Sequence, residues 1–214
     1  MRVLWCSLTP GLLDEKMYGT WIAAMQEAIM NYSSEIELGI IFESDDFHEN
    51  CILDGIYYFP INKSLSRYER FVEKIDDSIH WKRICPQIIN IIELFKPDII
   101  ECFGSEWEYG LIKEKTDIPV LIHMQGFRNY INQTEKKVVS NYDVLKYYKF
   151  NPFRFLHYIY RISKNKYRNE TELKILAMNN HFVGRTNWDK NIVNFFSPFS
   201  NYYECEEVIR KEIY

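Results

Sequence analysis

The apolar pattern predicts an α/β fold, a mostly parallel sheet with helices on both faces. The chain opens as strand, loop, helix, strand, which is the start of a βαβ unit. Further along, two helix-to-strand passages follow one another with β-branched strands, a succession that belongs to parallel sheets covered by helices. A chain of 214 residues hides roughly 70% of the surface its unfolded form exposes, enough to sustain one core.

Residues 2 to 6 read as a short buried strand, and Pro10-Gly11 makes the chain turn soon after it. From Gly19 the period becomes helical: Trp21, Met25 and Ala28, with Ile22 and Ile29, share one face. Residues 35 to 41 are the second strand and Gly55 to Phe59 the third, which Pro60 is expected to end. Residues 64 to 95 are helical in composition, with Pro86 expected in the first turn of the helix that carries Ile88, Ile89, Ile92 and Phe95. Lys96-Pro97-Asp98 breaks that helix, and Ile99 to Phe103 enter the sheet. Gly104-Ser105-Glu106 reads as a turn into a short helix, with Ser105 the cap and Glu108 the reciprocating residue of a capping box. Val120 to His123 is the next strand, ending at Gln125-Gly126. Between about Arg128 and Asn169 the regular alternation is interrupted, as by an insertion. It returns with a helix over 170–178, a strand over 181–184 and a helix from Thr186 to Phe195, with Thr186 capping ahead of Asp189.

Composition narrows the function classes. The chain is 47% hydrophobic and 26% charged with a formal net charge of -4, which fits a globular protein and gives no global reason to expect nucleic acid. No window approaches the roughly 20 apolar residues of a membrane-spanning helix, and the apolar run at the start is too short for a signal peptide. Five cysteines, at 6, 51, 85, 102 and 205, are odd in number and scattered; they fit reduced thiols in a cytoplasmic protein, and no pair has CxxC spacing. There is no GxSxG elbow, HExxH, EF-hand loop or close His/Asp cluster, so no metal site is expected. His48 and His80 read as surface or partly packed residues.

In open parallel sheets ligands sit beyond the carboxyl ends of the strands. The loops that qualify are Ser7 to Gly19, Gly104 to Glu106, His123 to Phe127 and Gly184 to Thr186. Gly19 at a helix start would let an anion or a sugar hydroxyl approach backbone N–H groups, but the loop has neither GxGxxG nor GxxxxGK[ST]. His123, at a strand end, can orient or deprotonate a hydroxyl, or be held by hydrogen bonds for structure. Glu106 suits sugar hydroxyls and equally a helix start. Arg185 suits a phosphate or a carboxylate, or a structural ion pair.

Taken together, Pro97-Asp98-Ile99-Ile100-Glu101-Cys102-Phe103-Gly104-Ser105-Glu106-Trp107-Glu108, Leu121-Ile122-His123-Met124-Gln125-Gly126 and Phe182-Val183-Gly184-Arg185-Thr186-Asn187-Trp188-Asp189, with the Gly-containing first loop, resemble the N-terminal, acceptor-side domain of family four glycosyltransferases with the GT-B fold. The resemblance spans essentially the whole chain. It implies one Rossmann-like domain over residues 1–214, with a basic aromatic insertion at about 128–169, facing a C-terminal domain that this chain lacks and that would grip a nucleoside diphosphate sugar. It implies transfer of that sugar to an acceptor hydroxyl with retained anomeric configuration, without a metal or a bound cofactor, in cell-surface polysaccharide or glycolipid synthesis. His123 matches the family's histidine near the reacting sugar. The loop from Gly11 to Gly19, Glu106, Gln125, Gly126 and Arg185 fall in the acceptor or donor-phosphate vicinity. The family's paired first-loop glycines are here the separate Gly11 and Gly19, and little or no transfer is expected of this chain alone. Two other readings stay open, a noncatalytic sugar- or nucleotide-binding module and one subunit of a split transferase.

Tyr142 to Arg168 carries seven Lys or Arg against one Asp, interleaved with nine Tyr or Phe. Such a segment either meets an anionic membrane surface, with Lys146, Lys149, Arg154 and Arg161 in contact, or packs its aromatics on the domain. The first alternative places the protein peripherally on the inner face of the cytoplasmic membrane and suits a lipid-linked acceptor. No recognised nucleic-acid module accompanies the charge, and no nucleic-acid partner is expected.

Overall fold

The computed structural model describes residues 1–14, 20–62, 64, 66–72, 76 and 78–205. In order come β1 (Arg2–Ser7), a 3-10 turn (Gly11–Leu13), α1 (Trp21–Tyr32), β2 (Glu37–Ser44), β3 (Cys51–Leu53), β4 (Ile56–Asn62), α2 (Arg67–Val72), α3 (Ile79–Phe95) and β5 (Ile99–Phe103). A second 3-10 helix (Glu108–Glu114) follows, then β6 (Val120–His123), α4 (Arg128–Val138), α5 (Asn141–Tyr147), α6 (Pro152–Met178), β7 (His181–Gly184), α7 (Asn187–Phe196) and β8 (Asn201–Glu204). The strands form one sheet in the order β3-β4-β2-β1-β5-β6-β7-β8. All neighbours are parallel except the β3–β4 hairpin. No helix among the described residues is long and apolar enough to cross a membrane.

Alternation along the strands divides the core into two layers. Leu4, Cys6, Ile41, Ile100, Cys102 and Ile122 face Ile84, Ile88 and Phe95 of α3, Tyr109 and Ile112 of the second 3-10 helix, Ile175 and Leu176 of α6, and Ile192 and Val193 of α7. On the other face Val3, Trp5, Ile40, Phe42 and Phe103 meet Ile22, Trp21 and Met25 of α1. Each of these large side chains contributes about 1.5–3 kcal/mol by leaving water. Helices therefore cover both faces, as the apolar pattern predicts.

Three local expectations are corrected. Pro60 does not end its strand: β4 runs to Asn62, with Pro60 opposite Phe42 of β2. The proline is tolerated because β3 pairs only with residues 56–58, so past that point β4 has an open edge and a missing N–H breaks no ladder. Pro86 lies inside α3, not in its first turn. Its ring is exposed and so is Lys82, so the Lys82 carbonyl that loses its partner can be hydrated, while burial of Ile84, Cys85 and Ile88 on the opposite side holds the helix together. Ser105 does not cap the second 3-10 helix, whose cap position is Trp107 without a side-chain bond; its hydroxyl is drawn to the buried Glu172 instead. The interval 128–169, where the strand–helix alternation is interrupted, forms α4, α5 and most of α6.

The chain leaves β1 through α1 towards β2 on one side, and returns through α3 to place β5 on the other. The loops after β1 and β5 diverge, and a crevice opens between them at the carboxyl edge.

Candidate functional site

A cavity of about 450 Å³ occupies that crevice, lined by Leu8 and Thr9 after β1, Thr20, Trp21 and Ile22 at the start of α1, Phe103 at the end of β5, and Gln125 after β6. Thr20 is the N-cap of α1, and its hydroxyl accepts from the Ala23 N–H at 3.3 Å. The first-turn N–H groups of Trp21 and Ile22 have no acceptor within the helix, so this wall favours negative charge. A larger hollow, about 520 Å³, lies at the β3–β4 edge against Tyr57, Phe59 and Phe95; it is away from the carboxyl ends of the central strands.

His123 ends β6, opposite Phe103, at the rim where parallel strands finish. It is buried, one layer behind the cavity wall: its ring lies 5.2 Å from that of Trp21 and 5.3 Å from that of Phe103. Nδ1 is 3.3 Å from Oε1 of Glu101, itself largely buried on β5. A neutral imidazole donating from Nδ1 to that carboxylate presents Nε2 as an acceptor. Glu101 is the partner that periodicity alone does not pick out, since a strand carboxylate two residues before Phe103 carries no motif.

Beside the cavity, four donors converge on the carboxylate of the buried Glu172 of α6: the Arg128 N–H at 2.9 Å, the Asn129 N–H and Nδ2 at 2.8 Å each, and Ser105 Oγ at 3.2 Å. The N-terminus of α4 is thus filled by a side chain of the protein itself. Glu106 folds back over Gly104, whose φ of +92° leaves room for no Cβ. Its Oε2 is buried without a hydrogen-bond partner. Burial pushes the Glu106 carboxyl up, its own backbone N–H works against this, and the nearby charges of Glu172 and Arg128 pull in opposite directions.

Gly11 is buried with φ of +59°. Gln26 packs into its turn, accepting from the Leu12 N–H at 2.6 Å and donating to the Pro10 carbonyl at 3.3 Å. Gly19 lies outside the described residues. Gln125 lines the cavity, and the Gly126 carbonyl lies 3.4 Å from Ser105 Oγ, whose single proton it shares with the closer Glu172. Arg185 is exposed after β7, where a capping box of Thr186 and Asp189 starts α7. Lys146, Lys149 and Arg154 are exposed on α5, the following turn and α6; the side chain of Arg161 lies outside the described residues. The structure thus brings Gln125, Trp21 and Phe103 to one cavity with His123 behind it, and sets Arg185 and the basic residues apart.

His80, partly packed as expected, has a setting its neighbours in sequence do not announce. Its Nδ1 is 2.5 Å from Oε2 of Glu108 and its Nε2 3.0 Å from Oε2 of Glu43, while the Tyr109 hydroxyl donates to Glu43 at 2.8 Å and that of Tyr167 to Glu108 at 2.7 Å. Burial by itself would pull the imidazolium down, but the hydrogen bonds and charges of Glu108 and Glu43 push it up to about 9. For Glu43, burial works upward, yet the His80 bond and charge, the Tyr109 hydroxyl and the Arg83 charge together lower its carboxyl. These groups come from β2, α3, the second 3-10 helix and α6, so only the folded chain assembles them. Among the described residues no group of three or more His, Cys, Asp or Glu is placed to hold a metal ion.

No protein-family model matches the sequence, and no curated protein matches it. Among solved structures the chain is similar to a sucrose-phosphate synthase from Thermosynechococcus elongatus, at 7% identity and a TM-score of 0.58, over 95% of this chain and 47% of that one. It is also similar to a ugt transferase from Siraitia grosvenorii in complex with UDP, at 6% identity and a TM-score of 0.50, over 98% of this chain and 48% of that one. The chain therefore spans about half the length of these proteins, and its fold is similar to one half of a GT-B glycosyltransferase.

Proposed function

We propose that this chain is the acceptor-side Rossmann-like domain of a glycosyltransferase that moves a sugar, with retention, from a nucleoside diphosphate sugar to an acceptor hydroxyl, in the synthesis of a cell-surface polysaccharide or glycolipid. The observation that carries the reading is the cavity between the ends of β1 and β5, walled by the first turn of α1, in a fold similar to half of two sugar-handling enzymes. In this reading a second Rossmann-like domain, in the same polypeptide or on a partner, completes the cleft and holds the nucleotide.

Negative charge grows on the diphosphate as the glycosidic bond breaks, and fixed donors that meet it lower the barrier. The N–H groups of Trp21 and Ile22 are the donors at the cavity wall, and Arg185, apart from that cavity in the loop after β7, is a further cation on the same edge of the sheet. Gln125 binds acceptor or sugar hydroxyls at the cavity wall. His123 reaches the transferred sugar near its C6 hydroxyl through Nε2 once Trp21 turns aside, with Glu101 holding the ring in place. Glu106, whose acid form burial favours, is the acceptor-side carboxyl.

The test is transfer from a panel of nucleoside diphosphate sugars by the complete gene product, with products identified by mass spectrometry and the anomeric centre by NMR. Turnover with retention is expected, and His123→Ala should lower it about 100-fold, with His123→Asn recovering part of the loss. Absence of turnover with every donor, or unchanged turnover in His123→Ala, would discard the reading.

A further inference from the structure

We propose that the tip formed by α5, the turn after it and the first half of α6 is a docking surface for an anionic lipid bilayer. This inference rests on the surface itself and not on the glycosyltransferase reading. At 1.5 Å per residue the 27 residues of α6 span about 40 Å, whereas the four residues of β7 span about 13 Å. Glu172 already touches Ser105 and the start of α4, both beyond the carboxyl ends of the strands. The part of α6 before it projects past the sheet, on the same edge as the cavity. Thr171, Glu172, Ile175 and Leu176 are buried near the end of α6, but from Pro152 to Ile162 Tyr158 is the only buried side chain among the described ones.

What this projection carries to solvent is aromatic. Tyr147 and Phe153 are each 80% exposed, Phe150 60% and Leu156 63%. The turn is held in that shape by hydrogen bonds from the Lys149 N–H to the Lys146 carbonyl at 3.0 Å and from the Phe150 N–H to the Leu145 carbonyl at 2.7 Å. Asn151 then caps α6 by accepting from the Phe153 and Arg154 N–H groups. Lys149 and Phe150 both have positive φ, 50° and 56°, a region glycine normally fills at a helix end. The backbone thus adopts a costly conformation that presents a phenyl ring to solvent.

Cations surround these rings. Lys146, Lys149 and Arg154 are exposed, and Asp143 is the one acidic residue between Tyr142 and Arg168. Tyr148, Phe153, Arg154 and His157 line a hollow of about 360 Å³, suited to a lipid phosphate held by Arg154. Exposed Phe and Tyr interleaved with Lys and Arg are what an anionic bilayer surface selects, rings entering the headgroup layer and cations meeting its charge. A second copy of this chain packed tip to tip would gain from the rings but would set like charges against each other.

The experiment is cosedimentation of the purified chain with vesicles of phosphatidylcholine alone and of phosphatidylcholine with one-third phosphatidylglycerol, beside analytical ultracentrifugation without lipid. Wild type is expected to partition onto the anionic vesicles only, more weakly in high salt. The combined variant Lys146→Gln, Lys149→Gln, Arg154→Gln should partition on the order of 100-fold less. Phe150→Ser with Phe153→Ser should lose the fraction that survives high salt. All these side chains are exposed, so circular dichroism and melting should match wild type, and Phe150→Trp gives an independent readout, a blue-shifted emission with anionic vesicles alone. Failure of wild type to bind anionic vesicles, or equal retention of the neutralised variant, overturns the proposal; so does self-association abolished by the Phe150 and Phe153 changes without vesicle binding, which assigns the tip to a second copy.

Discussion

Glu172 takes four hydrogen bonds on one buried carboxylate and thereby ties α6 to the start of α4 and to the turn after β5. Glu172→Ala leaves the buried Asn129 N–H and the half-buried Arg128 N–H without an acceptor, and is expected to destabilise the fold by about 3 kcal/mol. Glu172→Gln, which keeps an acceptor oxygen, should cost less. Urea unfolding checks both, through a lowered midpoint at an unchanged slope. Gly104 is the second sensitive residue. A Cβ there would stand 2.7 Å from Cδ1 of Trp107 and 2.8 Å from Oε2 of Glu106, on a backbone at φ +92°. Gly104→Ala should therefore cost roughly 1–3 kcal/mol, measured the same way. The sequence shows a glycine at a strand end and a glutamate in a helix, but no periodic feature connects Glu172 with Ser105, 67 positions away. At the site, His123 stands out in sequence because it ends an apolar strand. Its partner Glu101 and the Trp21 ring that covers it come from other elements.

The His80 cluster joins elements in the same way, and here the joint is electrostatic. His80 bridges Glu43 at the end of β2 and Glu108 at the start of the second 3-10 helix, while Tyr167 carries the chain of contacts to α6. Its folded-state value is raised from 6.5 to about 9. The bridge therefore contributes in full below about pH 6.5 and is lost as the pH rises through about 9. Glu43 has the opposite sign: its lowered value gives a contribution present above 4.5 and lost as the pH falls through its folded-state value. Melting temperature is expected to decline between pH 6.5 and 9 in wild type. That decline should be absent in His80→Gln, and equal slopes in the two proteins would refute the bridge. The elements themselves were largely legible: β1, β2, β5, β6, β7 and α7 fall where apolar runs and the Thr186–Asp189 box place them. Pro60 and Pro86 mislead because a proline's cost depends on whether its missing N–H would have met a neighbour and, where it would, on whether the orphaned carbonyl reaches water; only the strand order and the exposed side of α3 decide that.

Across the whole molecule, stability is expected to be uneven. The central strands β1, β2, β5 and β6 carry fully buried side chains such as Leu4, Ile41, Ile100 and Ile122, whereas the described side chains of α5 and the first half of α6 include little that is buried besides Val144 and Tyr158. Amide hydrogen exchange should be slowest in the central strands and α3, and orders of magnitude faster over residues 141–160; uniform protection would contradict this division. Similarity of fold over about half the length of a sucrose-phosphate synthase, at 7% identity, agrees with the layering rather than with shared residues. The layered sheet could be read from the chain because burial of an apolar face imposes a period on neighbouring residues, and a period is visible in one dimension. The cavity at the β1–β5 divergence, the carboxylate seated at the start of α4, the His80 bridge and the exposed aromatic tip depend on which distant side chains meet or fail to meet. Strand order and helix packing decide those encounters in three dimensions, and no local pattern of residues records them.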